Sequence, residues 1–188
     1  MNSILKFSLA IIIFFGLSSC DKTVEANEEE LITTVIYTLE SKTTNDKVTL
    51  KFSDLDGSGG IAPIIQTIGK FKVGLEYNGT ISILNESTNP VDDITEEVKD
   101  EGIDHQFFYE VSGVLSDEMK ITYNDVDNNN LPVGIKTKVV SSKSGIGVLS
   151  ITLRHQPDKK AAGVSDGKIT NAGGETDVEV NFDIEAVL

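Results

Sequence analysis

Tryptophan is absent, cysteine occurs once and histidine twice. Basic residues are scarce: 16 Lys and Arg stand against 30 Asp and Glu, a formal net charge of −14 over 188 residues. Each scarcity excludes something. With so few cations the chain cannot lay a basic face along a phosphate backbone, so nucleic acid is not an expected partner. A lone Cys closes no intramolecular disulfide and builds no Cys-rich zinc site. Without Trp, a stacking platform for sugars or exposed bases is not expected. No GxSxG elbow, phosphate-binding loop, dinucleotide GxGxxG or HExxH occurs, and no carboxylate pair is singled out, so the expectation is a protein that is not an enzyme. The length suits one domain.

What is present begins with a leader. Lys6 gives residues 1–19 a positive start, and Phe7 to Leu17 (FSLAIIIFFGL) carry no charge. That run is too short to span a bilayer, which takes ~20 apolar residues. Leu17-Ser18-Ser19-Cys20 follows and resembles the lipobox of bacterial lipoproteins. The resemblance implies cleavage before Cys20, a diacylglycerol thioether on its sulfur and acylation of the new amino terminus. Each buried lipid CH₂ contributes ~0.8 kcal/mol, so two or more chains hold a protein stably. The alternative is a secreted soluble protein with a chance Cys. Residues 20–30, the lipidated Cys and Asp21 to Glu30 (DKTVEANEEE), read as a flexible acidic tether. Asp next to the lipidated Cys implies inner-membrane retention in enteric-type sorting, whereas other Gram-negative groups use acids there for export to the cell surface. An outer-membrane anchorage, on the periplasmic or the surface face, is the expectation taken here.

Residues 31–188 read as a single all-β domain. Leu31 to Glu40 is β-branched and apolar on both faces, as a covered strand should be. Val48, Leu50 and Phe52 alternate with polar residues, and so do Phe71, Val73, Leu75 and Tyr77. Asn78-Gly79 then signals a hairpin; a three-residue loop that includes Tyr77 keeps Ile81 and Ile83 on the apolar face. Asp93 to Glu101 is the one convincing helix, with Asp93 as cap, Glu96 completing a capping box and Gly102 as stop. Strands resume with His105 to Val111, Met119 to Asn124, Ile135 to Ser142 and Gly147 to His155. Gln156 to Gly174 is a long loop. The last strand sets Val178, Val180, Phe182 and Ile184 inward. About eight antiparallel strands with one short helix predict a β-sandwich, with an open barrel as runner-up.

Three sets of residues could carry chemistry. His105 opens one strand and His155 closes another, each on its apolar parity, so both imidazoles can meet at one end of a sandwich. With Glu97, Glu101 and Glu175 as helpers they would suit Zn²⁺ or another divalent transition metal; the plainer reading is two histidines bonded at the core's edge. Asp54 and Asp56 before Gly57 resemble the start of a calcium loop, and Asp125 and Asp127 form a similar run. Neither run has the closing Glu of an EF-hand, and Asx-rich turns explain both as simply. The acidic helix face, Glu96 to Glu101, is a docking face for a basic partner or a solvated surface.

Several segments together resemble a family: Asn27 to Thr34, Asp54-Leu55-Asp56-Gly57, Asp93 to Glu97, His105-Gln106-Phe107-Phe108-Tyr109, Leu153-Arg154-His155 and Gly173 to Asp177. They are similar to small uncharacterised lipoproteins of Gram-negative bacteria that often carry the label "type 1 periplasmic binding fold". The likeness spans nearly the whole mature chain. It implies no activity, but an association with TonB-dependent outer-membrane receptors and a role in nutrient or metal capture. A true type 1 periplasmic binding protein has two α/β lobes, which the strand pattern does not support. The expected function is a lipid-anchored envelope protein, with a metal or small ligand bound at the histidine end for such a receptor. The alternative is a structural or adhesion module with calcium-stabilised loops.

Overall fold

The computed structural model describes residues 31–57 and 60–188. The leader, Cys20, the acidic tether and two residues of the Asp54–Gly60 loop lie outside the described residues. The chain forms β1 (Thr34–Glu40), β2 (Lys47–Ser53), β3 (Ile64–Ile68), β4 (Phe71–Lys72), β5 (Tyr77–Leu84), α1 (Ile94–Asp100), β6 (His105–Gly113), β7 (Met119–Tyr123), β8 (Lys136–Ser141), β9 (Gly145–His155) and β10 (Glu175–Val187). The expected all-β sandwich is what forms. Six strands make one sheet in the order β3-β2-β1-β5-β8-β7, and four make the other in the order β4-β10-β9-β6. All pairings are antiparallel except the short β4–β10 contact.

The core lies between the sheets and follows the two-residue period of the strands. Val35, Tyr37 and Leu39 of β1 point inward beside Val48 and Leu50 of β2 and Ile81 and Ile83 of β5. Facing them are Phe107 of β6, Leu149, Ile151 and Leu153 of β9, and Val180, Phe182 and Ile184 of β10. All are buried. Burying one such side chain contributes ~1.5–3 kcal/mol, so this alternation, repeated on facing strands, fixes the register: a one-residue slip would turn each apolar set to solvent.

Two features depart from the sequence reading. Among the described residues the strand count is ten: β3 is a strand that the sequence pattern does not signal, and β4 is what remains of the expected Phe71–Tyr77 strand. β3 (IIQTI) is exposed along its whole length, so its aliphatic residues do not alternate with a buried face. The expected Phe71–Tyr77 strand is broken: Phe71 and Lys72 pair with β10, the chain turns through Val73 to Glu76, and Tyr77 begins β5 in the other sheet. Asn78-Gly79 is therefore no hairpin. Both residues lie inside β5, with Asn78 opposite Glu40 and Gly79 opposite Leu39. Glycine is required there by close approach. A Cβ on Gly79 would lie 2.3 Å from Thr137 Oγ1 and 2.6 Å from the Tyr37 hydroxyl. Those two oxygens are hydrogen-bonded at 2.5 Å, fully buried, and burial raises the Tyr37 phenol above its ordinary value.

The helix stands where expected. The Asp93 carboxylate caps it by accepting from the Thr95 amide at 3.1 Å, satisfying one of the orphan donors of the first turn. Ile94 and Val98 are buried, but Val91 is half exposed, and Glu96 pairs with Lys99 at 2.9 Å. The long loop after β9 folds back over the outer face of β6. There Phe108, which points away from the main core, is buried with Val164 and Ala172.

Lys159 fastens this loop. Its ammonium donates to Asp127 Oδ2 at 3.0 Å, to the Pro132 carbonyl at 2.9 Å and to the Gly102 carbonyl. Both side chains of the ion pair are almost completely buried. Burial lowers the Lys159 ammonium from its ordinary value against the opposing pull of Asp127. For Asp127, burial alone would raise the carboxyl, but hydrogen bonds from Leu131, Lys159 and Asn129 outweigh it and hold the group below the usual carboxylate range.

Candidate functional site

β6 and β9 are antiparallel neighbours, and their register makes His105 the direct partner of His155. The rings stack, with centroids 4.8 Å apart and planes 17° from parallel. His105 is buried, whereas His155 is partly exposed. β10 supplies the rest of the corner. Glu175 pairs with His155, but the β9–β10 register shifts between Thr176 and Val178, so Asp177 occupies a bulge. A bulge aims one side chain out of the regular alternation, and here it brings Asp177 Oδ2 to 4.0 Å from His105 Nε2.

The protonation pattern follows from the partners. His105 Nδ1 lies 3.2 Å from the Glu101 carbonyl oxygen. A carbonyl can only accept, so the proton of a neutral His105 sits on Nδ1 and Nε2 is left with a lone pair. That lone pair faces a carboxylate oxygen that is buried and without a hydrogen-bond partner. Two acceptors face each other unless a proton or another cation lies between them. Burial raises the Asp177 carboxyl above its ordinary value; His105 and His155 pull it down, Glu175 pushes it up and Arg154 pulls it down. Burial thus favours the protonated form of Asp177 relative to an exposed carboxylate.

The backbone around the pair is constrained. Gln156, directly after His155, has φ +51°, an uncommon conformation for a residue with a side chain. Gly174 has φ +69°, and a Cβ there would lie 2.2 Å from the His155 carbonyl oxygen. The ends of the long loop therefore close directly on the histidine strand.

The other proposed helpers are placed differently. Glu97 is exposed on α1, and Glu101 contributes its carbonyl while its side chain is exposed. Glu175 is exposed beside His155. In the first acidic loop, Asp56 Oδ2 accepts from the Ile61 amide at 2.8 Å, and Asp54 Oδ1 is buried without a hydrogen-bond partner. The second acidic run is spent on the chain itself. Asp125 accepts from the amides of Gly134 and Lys136, both at 2.9 Å. Asp127 accepts from Asn129, Leu131 and Lys159.

Among the described residues, no group of three or more His, Cys, Asp or Glu side chains stands in metal-binding geometry. The reason at this corner is the stack. Ring-nitrogen lone pairs lie in the ring plane, so two nearly parallel imidazoles cannot point at one ion. His105 Nε2 and Asp177 Oδ2 already converge; His155 would have to turn out of the stack to join them. Sequence reasoning missed Asp177, because an unbroken alternation through Glu175, Thr176 and Asp177 hides the bulge.

No protein-family model, curated protein or solved structure matches the chain.

Proposed function

We propose that this chain is a lipid-anchored, non-enzymatic binding module of the bacterial cell envelope, held at the outer membrane through Cys20. Its sandwich captures a divalent transition metal, with Zn²⁺ the first choice, for an outer-membrane uptake partner of the TonB-dependent kind. The leader and the Leu17-Ser18-Ser19-Cys20 motif support the anchorage. The observation that carries the binding reading is the opposition of His105 Nε2 to the buried Asp177 oxygen at 4.0 Å. Bonds of ~2.0–2.1 Å suit Zn²⁺ with imidazole nitrogen or carboxylate oxygen, so a small inward shift of either group brings both within reach of one ion. His155 turns from its stacked position to supply a third ligand, and water completes the shell.

The test is calorimetric titration of the full-length protein with Zn²⁺ and, separately, with Ca²⁺. Zinc binding that disappears in His105→Ala and Asp177→Asn and weakens in His155→Ala supports the reading. Zinc binding that survives His105→Ala overturns it. The calcium-stabilised structural module is the answer instead if Ca²⁺ raises the melting temperature in the same variants and Asp54→Asn removes that response.

A further inference from the structure

The seam between the two sheets is open along part of its length. β4 pairs with β10 only at Phe71–Ala186 and Lys72–Val187. Upstream of Ala186, no strand among the described residues pairs with that side of β10. β3 is the terminal strand of the six-stranded sheet; its ladder partner is β2, and among the described residues no second strand pairs with it by backbone hydrogen bonds, although it lies close to β10. Two links hold these margins near each other: Thr67 Oγ1 donates to the Asp183 carbonyl at 2.7 Å, and Lys70 pairs with Glu185 at 2.7 Å. Beside the links opens a cleft of about 690 Å³, walled by Thr67 and Lys70 and floored by Ile146, Val148, Asp183 and Glu185.

β3 lacks the devices that usually blunt a sheet edge. It contains no charge and no proline, and Ile64, Ile65 and Ile68 are 61%, 50% and 62% exposed. Natural edges avoid this combination, because a free row of N–H and C=O groups is a template for another backbone. The chemistry that satisfies such a row is an extended strand, with main-chain bonds supplying affinity and side-chain contacts supplying selectivity. The floor sets the side-chain preference. Ile146 is 67% exposed and offers an apolar contact. Asp183 and Glu185 are carboxylates, and Glu110 and Glu179 share their outer face of the sheet. Among the described residues that line the cleft, the cation is Lys70, and it is paired with Glu185. An incoming strand with alternating apolar and basic residues matches both features.

We propose that β3 and the adjoining cleft bind an extended basic–apolar peptide segment of a partner protein by strand addition. The site is independent of the histidine corner. Ile146 and His155 stand near opposite ends of β9, roughly 30 Å apart at ~3.3 Å per residue.

The experiment uses the full-length protein and a fluorescent peptide of alternating Val and Lys, with two N-methylated versions blocking the odd or the even amides. Only one set of amides in an added strand faces β3. The parent and one methylated peptide should therefore bind, while the other methylated form loses about tenfold or more, the cost of a few missing hydrogen bonds. Hydrogen exchange should slow across Ile64–Ile68 when peptide is bound. Asp183→Lys and the surface change Ile146→Ser should each weaken binding, with an unchanged circular dichroism spectrum showing that the fold is intact. Equal binding of both methylated peptides, no binding of the parent, or unchanged exchange in β3 overturns the proposal. So does concentration-dependent self-association that the peptide fails to displace, which would make a second copy of this chain the occupant.

Discussion

His105 and His155 face each other as register partners across β6 and β9, their rings stacked 4.8 Å apart, and His105 Nε2 lies 4.0 Å from the buried carboxylate oxygen of Asp177. The pair is unequal. His105 is held by the Glu101 carbonyl inside the protein, and His155 stands at the accessible side.

Asp177→Asn should stabilise the protein at neutral pH. Burial raises the folded carboxyl above its ordinary value of 3.8. Between the unfolded and folded values the native state holds the proton that the unfolded chain has released, so wild-type stability falls as pH rises through that window. Asn keeps the shape without the charge. Melting curves should show the variant a few degrees above wild type at neutral pH, with the two converging as pH drops below the ordinary carboxylate value. A gap that widens on acidification would contradict this environment for Asp177.

Lys159→Met should destabilise the fold by about 3 kcal/mol, because removing one partner strands a buried charge on Asp127. The double change Lys159→Met with Asp127→Leu should recover much of that loss. Urea unfolding of the three variants measures both. The Asp127 carboxyl sits below the usual range, so the stability it contributes is present above the ordinary value and is lost as pH falls through the folded value. Limited proteolysis of Lys159→Met should cut first between Gln156 and Gly174, because the other anchors of this loop among the described residues are chiefly a small apolar cluster, the Gln106 amide donating to the Val164 carbonyl and a few backbone bonds.

Gly79→Ala should cost about 3 kcal/mol, the upper end of ordinary overpacking penalties, although alanine suits a strand no worse than glycine. The added methyl meets the Tyr37–Thr137 hydrogen bond on both oxygens. Thr137→Ala in the same chain removes one of them and should return part of the loss in a thermal melt. Equal stability of Gly79→Ala and wild type would show that the methyl is accommodated and that space is not what requires glycine at this position.

The sandwich was legible wherever one strand face is buried and the other wet. β10 states its parity in Val180, Phe182 and Ile184, β9 in Leu149, Ile151 and Leu153, and these residues form the core. The meeting of the histidines could be framed from their parity and their places at strand ends. What the sequence conceals are interactions without a periodic signature. β3 is aliphatic but exposed along its length, so no buried-face pattern separates it from a loop. Asn78-Gly79 has hairpin chemistry but serves close packing, a demand that exists only once β1 and β8 flank β5. Lys159 is one charge in a polar loop, and its burial depends on three acceptors that are distant in sequence.

The single extra residue at Asp177 joins two half-strands with different phases. Past it, Val180, Phe182 and Ile184 keep step with the core, and before it Glu175 keeps step with His155. Excising that one residue would leave an unbroken ladder and a sound interior, with its acidic corner gone. Conversely, a chemist could move this corner along the ribbon by relocating one residue, without touching the hydrophobic body that supports it.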